Sequence, residues 1–106
     1  MTVYVMAQLK FTDRSAYDRY QSRFFGVFSR FKGTLLAADE APQVVEGEWP
    51  RDKVVLMSFP DQAAYRAFAE SAAYEEISRD RKAGADAVAV RVWVGGADPV
   101  FVAVRG

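Results

Sequence analysis

One stretch of fifteen residues constrains the fold more than any other: Val54-Val55-Leu56-Met57-Ser58-Phe59-Pro60-Asp61-Gln62-Ala63-Ala64-Tyr65-Arg66-Ala67-Phe68. Val54 to Phe59 is nearly continuous apolar sequence, the pattern of a strand covered on both faces. Pro60 has no N–H to offer a neighbouring strand and ends the pairing. Asp61 is placed to cap a helix running to about Glu70, with Ala64, Tyr65, Phe68 and Ala69 facing the sheet.

The flanking sequence supplies the rest. Thr2 to Phe11 alternates, with Val3, Val5, Ala7, Leu9 and Phe11 on one face and Tyr4, Met6, Gln8 and Lys10 on the other. Thr12 or Asp13 caps a helix predicted to reach about Phe31, with Tyr17, Tyr20, Phe24, Val27 and Phe31 as its apolar stripe and Gly33 as its stop. Thr34 to Asp39 is a second strand, and Val44 to Glu46 reads as a short or bulged continuation. Gly47 to Asp52 is a turn. Ser71 caps a third, shorter helix that Gly84 closes, and Ala87 to Val94 alternates again. The segment Val100 to Arg105, beyond the Gly95-Gly96 loop, is expected to pair with a sheet edge.

The order β-α-β-β-α-β predicts an α+β, ferredoxin-like (split βαβ) fold with an extra C-terminal strand. The expected division is a domain over 1–94 and an extension over 95–106. Helices on one face of an antiparallel sheet leave the other bare. Tyr4, Met6, Arg91 and Trp93 are assigned to that bare face, with Gln8 and Lys10 beside them. So much apolar surface predicts a homodimer, sheet against sheet, around a barrel-like interior.

Composition narrows the chemistry. The chain of 106 residues has no Cys and no His, which removes thiol nucleophiles, thiolate and histidine metal sites, and Ser-His-Asp triads. No calcium loop or phosphate-binding glycine motif occurs, so neither metal nor cofactor is expected. Fourteen basic and fourteen acidic residues are interspersed, giving zero net charge and no field for nucleic acid. No run of about 18 apolar residues is present, and Met1 to Lys10 does not read as a signal peptide. The expectation is a cytoplasmic protein with no membrane partner.

Several groups of residues resemble a known family when taken together. They are Tyr17-Asp18-Arg19-Tyr20, Gly33, Val45-Glu46-Gly47-Glu48-Trp49-Pro50, Val54 to Pro60 with Asp61-Gln62-Ala63-Ala64, and Ser71-Ala72-Ala73-Tyr74. In this order and spacing the chain, over roughly residues 3 to 94, resembles the domain of unknown function 1330 family of the dimeric α/β-barrel superfamily. Ala72 departs from the proline that many relatives carry there. The resemblance implies the fold and the dimer, and it carries no established catalytic residues. The wider superfamily includes cofactor-free monooxygenases, lactone isomerases, haem-handling enzymes and stress-related binding proteins, so fold analogy does not select a function.

Four constellations are candidates, each with a structural alternative. Tyr17, Tyr20 and Arg23 follow one another by about a helical turn and would orient an anionic or carbonyl-bearing ligand; otherwise the tyrosines are core residues with hydroxyls at the rim. Trp49, with Arg51 and Glu46, would lid a pocket or plug an interface. Gln8, Lys10, Arg91 and Trp93 would line a polar cavity or form ion pairs in a dimer interface. Tyr74 with Arg79 and Arg81 would bind an anion, or belong to a helix surface compensated by Glu75, Glu76 and Asp80.

The leading expectation is a small-molecule-binding protein, extending to a cofactor-independent enzyme acting on a small carbonyl or aromatic acid. In the enzyme reading Arg23 or Arg91 holds the anion, Tyr17 or Tyr20 donates a hydrogen bond, and Glu46 moves the proton. The alternative is a non-catalytic homo-oligomeric structural or stress-related module.

Overall fold

In the computed structural model, which describes residues 1–93, the chain forms β1 (Val3–Phe11), α1 (Arg14–Phe28), β2 (Thr34–Asp39), β3 (Lys53–Phe59), α2 (Gln62–Ala69), α3 (Ala72–Gly84) and β4 (Ala85–Trp93). The strands make one antiparallel sheet in the order β2-β3-β1-β4, which is the ferredoxin-like arrangement. The expected strand over Val100 to Arg105 lies outside the described residues.

Each helix starts where its sequence places an oxygen to receive an orphan N–H. Asp13 accepts from Ala16 N at 3.3 Å, Asp61 from Ala64 N at 2.7 Å, and Ser71 Oγ from Tyr74 N at 3.1 Å. The helix ends are less regular. α1 stops at Phe28, short of Phe31, because the chain tightens: Arg30 N bonds Val27 O and Phe31 N bonds Phe28 O. That turn still delivers the Phe31 ring to 5.7 Å from Phe68.

Gly33 lies beyond this turn and serves packing: a Cβ there would come within 2.6 Å of Phe28 and 2.7 Å of Phe59. Gly84 has the same kind of role. Its carbonyl receives Thr12 N and Asp13 N, and a Cβ would meet Asp13 O at 2.7 Å. α3, predicted as the shorter of the last two helices, has thirteen residues against eight in α2.

Residues 40–52 contain no strand, so Val44 to Glu46 does not continue the sheet. The irregularity lies instead inside β2, where the pairing with β3 slips between Leu35 and Ala37 and leaves Leu36 as the extra residue. The core is on the helix side of the sheet. Its centre is aromatic, with Phe68 surrounded by the rings of Phe24, Phe28, Phe31, Phe59 and Tyr74.

The register corrects one assignment. Arg91 pairs with Val5 and Trp93 with Val3, both buried under the helices. Arg91 and Trp93 therefore belong to the helix-side face. The bare face of β4 carries Val88, Val90 and Val92, opposite Gln8, Met6 and Tyr4.

Candidate functional site

Strand alternation aligns Ala38, Val55, Ala7 and Ala89 in one row across all four strands, on the helix side of the sheet. Short side chains in such a row cannot reach the helices above. The result is a cavity of about 540 Å³ between the sheet and the helices. It lies within one chain, on the opposite side of the sheet from the expected inter-sheet interior. The sheet contributes a mainly apolar floor, including Val5, Leu9, Val55 and Met57.

The walls carry the polar groups. On α1, Tyr17, Gln21 and Phe24 recur at helical spacing, with Tyr20 beside them. On α3, Tyr74, Ser78 and Arg81 do the same. The two sets meet where the Tyr20 and Tyr74 hydroxyls stand 3.4 Å apart, with either able to donate. Lys53 lies at the start of β3, facing inward beside Leu9. Its buried ammonium donates to Gln21 Oε1 at 3.3 Å and sits 5.0 Å from the Tyr17 ring centre.

At the rim, Arg14 holds Glu40 through two hydrogen bonds, of 2.8 and 3.0 Å, and also binds Asp18. Glu40 lies 3.7 Å from the Lys53 ammonium. The Arg14 hydrogen bond holds the Glu40 carboxyl below its usual value, and burial pushes the Lys53 amine down, with Glu40 opposing. The tyrosines respond to burial in the opposite sense. Burial pushes the Tyr17 phenol up to about 12, and burial together with Tyr74 raises that of Tyr20. Both are therefore neutral hydrogen-bond donors across the physiological range.

The sign of the pH dependence follows. Between its ordinary 10.0 and about 12, Tyr17 keeps its proton in the folded chain and loses it in the unfolded one. Stability is unaffected by this group below pH 10 and falls as pH rises above it, by up to about 3 kcal/mol once both values are passed. Lys53 acts in the opposite sense, and only up to its ordinary 10.5. Urea midpoints measured between about pH 10.5 and pH 12 are expected to fall in the wild type and to fall less in Tyr17→Phe. Parallel profiles would show that the phenol is not held neutral by the fold.

Of the residues singled out from sequence, the cavity gathers Tyr17, Tyr20, Tyr74 and Arg81. Arg23 is exposed and paired with Glu76 at 3.4 Å. Glu46 is exposed in the loop over 40–52 and does not line the cavity. Trp49 and Arg51 are partly covered and outside it, and Trp49 Nε1 is buried with no acceptor among the described residues. Arg91 stands over the Tyr65 ring at 5.2 Å and Trp93 is half exposed. Gln21, Lys53, Tyr65, Glu75, Ser78 and Lys82 complete the polar lining. Lys53 had a legible signal: read back by twos from Phe59, Met57 and Val55, it falls on the inward face. Among the described residues no three acidic side chains converge as a metal cage, and no helix is long and apolar enough to cross a membrane.

The fold is shared with solved structures of low sequence identity. A protein of unknown function from Rhodopseudomonas palustris has a TM-score of 0.73 at 18% identity, over 86% of this chain and 80% of that one. A dimeric ferredoxin-like protein of unknown function from Jannaschia sp. CCS1 has a TM-score of 0.71 at 18% identity, over 89% and 100%. SnoaB, a cofactor-independent oxygenase from Streptomyces nogalater, has a TM-score of 0.66 at 11% identity, over 92% and 97%. No curated protein matches the chain. Residues 2–94 match the family described as domain of unknown function (DUF1330), and the chain belongs to that family.

Proposed function

We propose that the protein binds a small, largely apolar molecule carrying a hydrogen-bonding oxygen, in the cavity between its sheet and helices, and that it works as a sheet-to-sheet homodimer. The observation that carries this reading is the cavity itself. Its volume of about 540 Å³ falls in the range of small-molecule sites, its floor is mainly apolar, and most of its polar groups converge from the α1 and α3 walls. Tyr17 and Tyr20 supply hydrogen bonds to the ligand oxygen, with Tyr74 beside them. The dimer rests on the exposed valines of β4 and on the dimeric state of the similar Jannaschia protein.

One observation favours extending binding to catalysis. Lys53 is a buried amine whose basicity is lowered, next to Tyr17 and inside the cavity. It is better placed than exposed Glu46 to move a proton in cofactor-independent chemistry on a carbonyl compound or aromatic acid. The likeness to a cofactor-independent oxygenase accords with this and adds only the fold.

The cavity is tested by filling its floor. The wild type is expected to bind the fluorescent probe anilinonaphthalene sulfonate at one site per chain, with blue-shifted emission. Ala7→Phe or Ala89→Phe is expected to abolish the signal while circular dichroism and oligomeric mass stay unchanged. Equal binding by the wild type and the folded variants would place the probe elsewhere and overturn the reading.

A further inference from the structure

We infer that Arg81 makes this cavity selective for ligands carrying a carboxylate, which names the ligand class of the proposed binding site and rests on that reading. Charge compensation along α3 carries the argument. The helix holds three acids, Glu75, Glu76 and Asp80. Two of them are engaged by α1: Glu76 by Arg23 at 3.4 Å and Asp80 by Arg19 at 3.3 Å. Among the described residues no carboxylate pairs with Arg81. Its Nε is buried with no hydrogen-bond acceptor among the described residues.

A guanidinium N–H removed from water and left unpaired is costly, and such groups ordinarily find an acceptor. Arg81 lines the cavity, so an acceptor arriving there would meet it. Its positive charge already acts on both Tyr17 and Tyr20, opposing the effect of burial on each phenol.

The surrounding chemistry suits a carboxylate. Arg81, Lys82 and Lys53 line the cavity against the single acid Glu75. The guanidinium offers parallel N–H groups in the geometry a carboxylate accepts. The Tyr20 and Tyr74 hydroxyls form only a long contact of 3.4 Å, which a ligand oxygen between them would replace with two shorter bonds. The apolar floor then takes the hydrocarbon part, which selects an aromatic or aliphatic acid over a small inorganic anion.

The test compares naphthoate with the neutral, similarly shaped naphthalene methanol by calorimetry. The wild type is expected to bind both, the acid at least about tenfold more tightly. Arg81→Met should lose that preference and keep its affinity for the alcohol, while Arg81→Lys should retain part of it. Equal affinities in the wild type, or a preference that survives in Arg81→Met, would overturn the inference and leave the cavity reading standing. Binding of neither compound would overturn the cavity reading itself. Arg81→Met keeps the length of the side chain, and matched melting temperatures would separate a lost charge from a lost fold.

Discussion

Val90→Asp is expected to turn a dimer into a folded monomer. Val90 lies opposite Met6, and Met6 lies opposite Leu56, which faces Ala37. These four form one apolar row across the sheet, on the face that no helix among the described residues covers. Val88 and Val92 extend it along β4, and the three valines are each nearly half exposed. Such a surface is the core of the proposed interface.

Two-fold symmetry places every substitution in that interface twice. Two carboxylates without partners, each costing several kcal/mol to bury, are expected to weaken association by about a thousandfold or more. In the isolated protomer the same side chain points to water, so the expected cost to folding is within about 0.5 kcal/mol. Light scattering at micromolar concentration should show the wild type at twice the 11.8 kDa chain mass and the variant at that mass, with matching circular dichroism. A Val90→Asp protein that keeps the dimer mass would show that the chains meet elsewhere.

The same valines show what the sequence does and does not carry. Alternation in β4 states that Val88, Val90 and Val92 share a face and that Ala89, Arg91 and Trp93 share the other. It does not state which face the helices cover. The valines look like core and the arginine looks like surface, and assigning faces by polarity alone is a guess. Only the pairing of Arg91 with buried Val5 decides it. The three helix caps at Asp13, Asp61 and Ser71 were legible because capping is local chemistry between residues a few positions apart.

The cavity was not legible in the same way. It arises where Ala38, Val55, Ala7 and Ala89, distant in sequence, fall into one row. Lys53 was lost to the adjoining turn, since a charged residue beside Asp52 reads as loop. Arg81 reads with Tyr74 and Arg79 as an anion site, set against a helix surface compensated by its own acids, and the sequence could not show that two of those acids are paired with α1 instead. Tyr17 and Tyr20 were singled out from sequence because phenols about one helical turn apart join an apolar body to a polar tip, and Tyr74 because of the arginines that follow it.

Phe68→Ala is expected to cost about 3–5 kcal/mol, the range for removing a buried phenylalanine from a packed core. Phe68 is 2% exposed and stands among five rings, with centroid distances from 4.4 Å to Tyr74 up to 6.3 Å to Phe24. These rings come from α1, the turn after it, β3 and α3, so no single neighbour can move in to fill the space. Domains of this size are stable by roughly 5–15 kcal/mol, so the loss is a large share of the total. Phe68→Leu, which leaves a smaller void, should cost clearly less. The same ring lines the cavity and packs on Tyr74, so Phe68→Ala should also weaken ligand binding at temperatures where the variant is folded. Urea unfolding at one fixed protein concentration, which keeps any dimer contribution constant, measures the first effect. A cost below about 1 kcal/mol would mean that the cluster relaxes around the void and that stability rests on the sheet rather than on this aromatic centre.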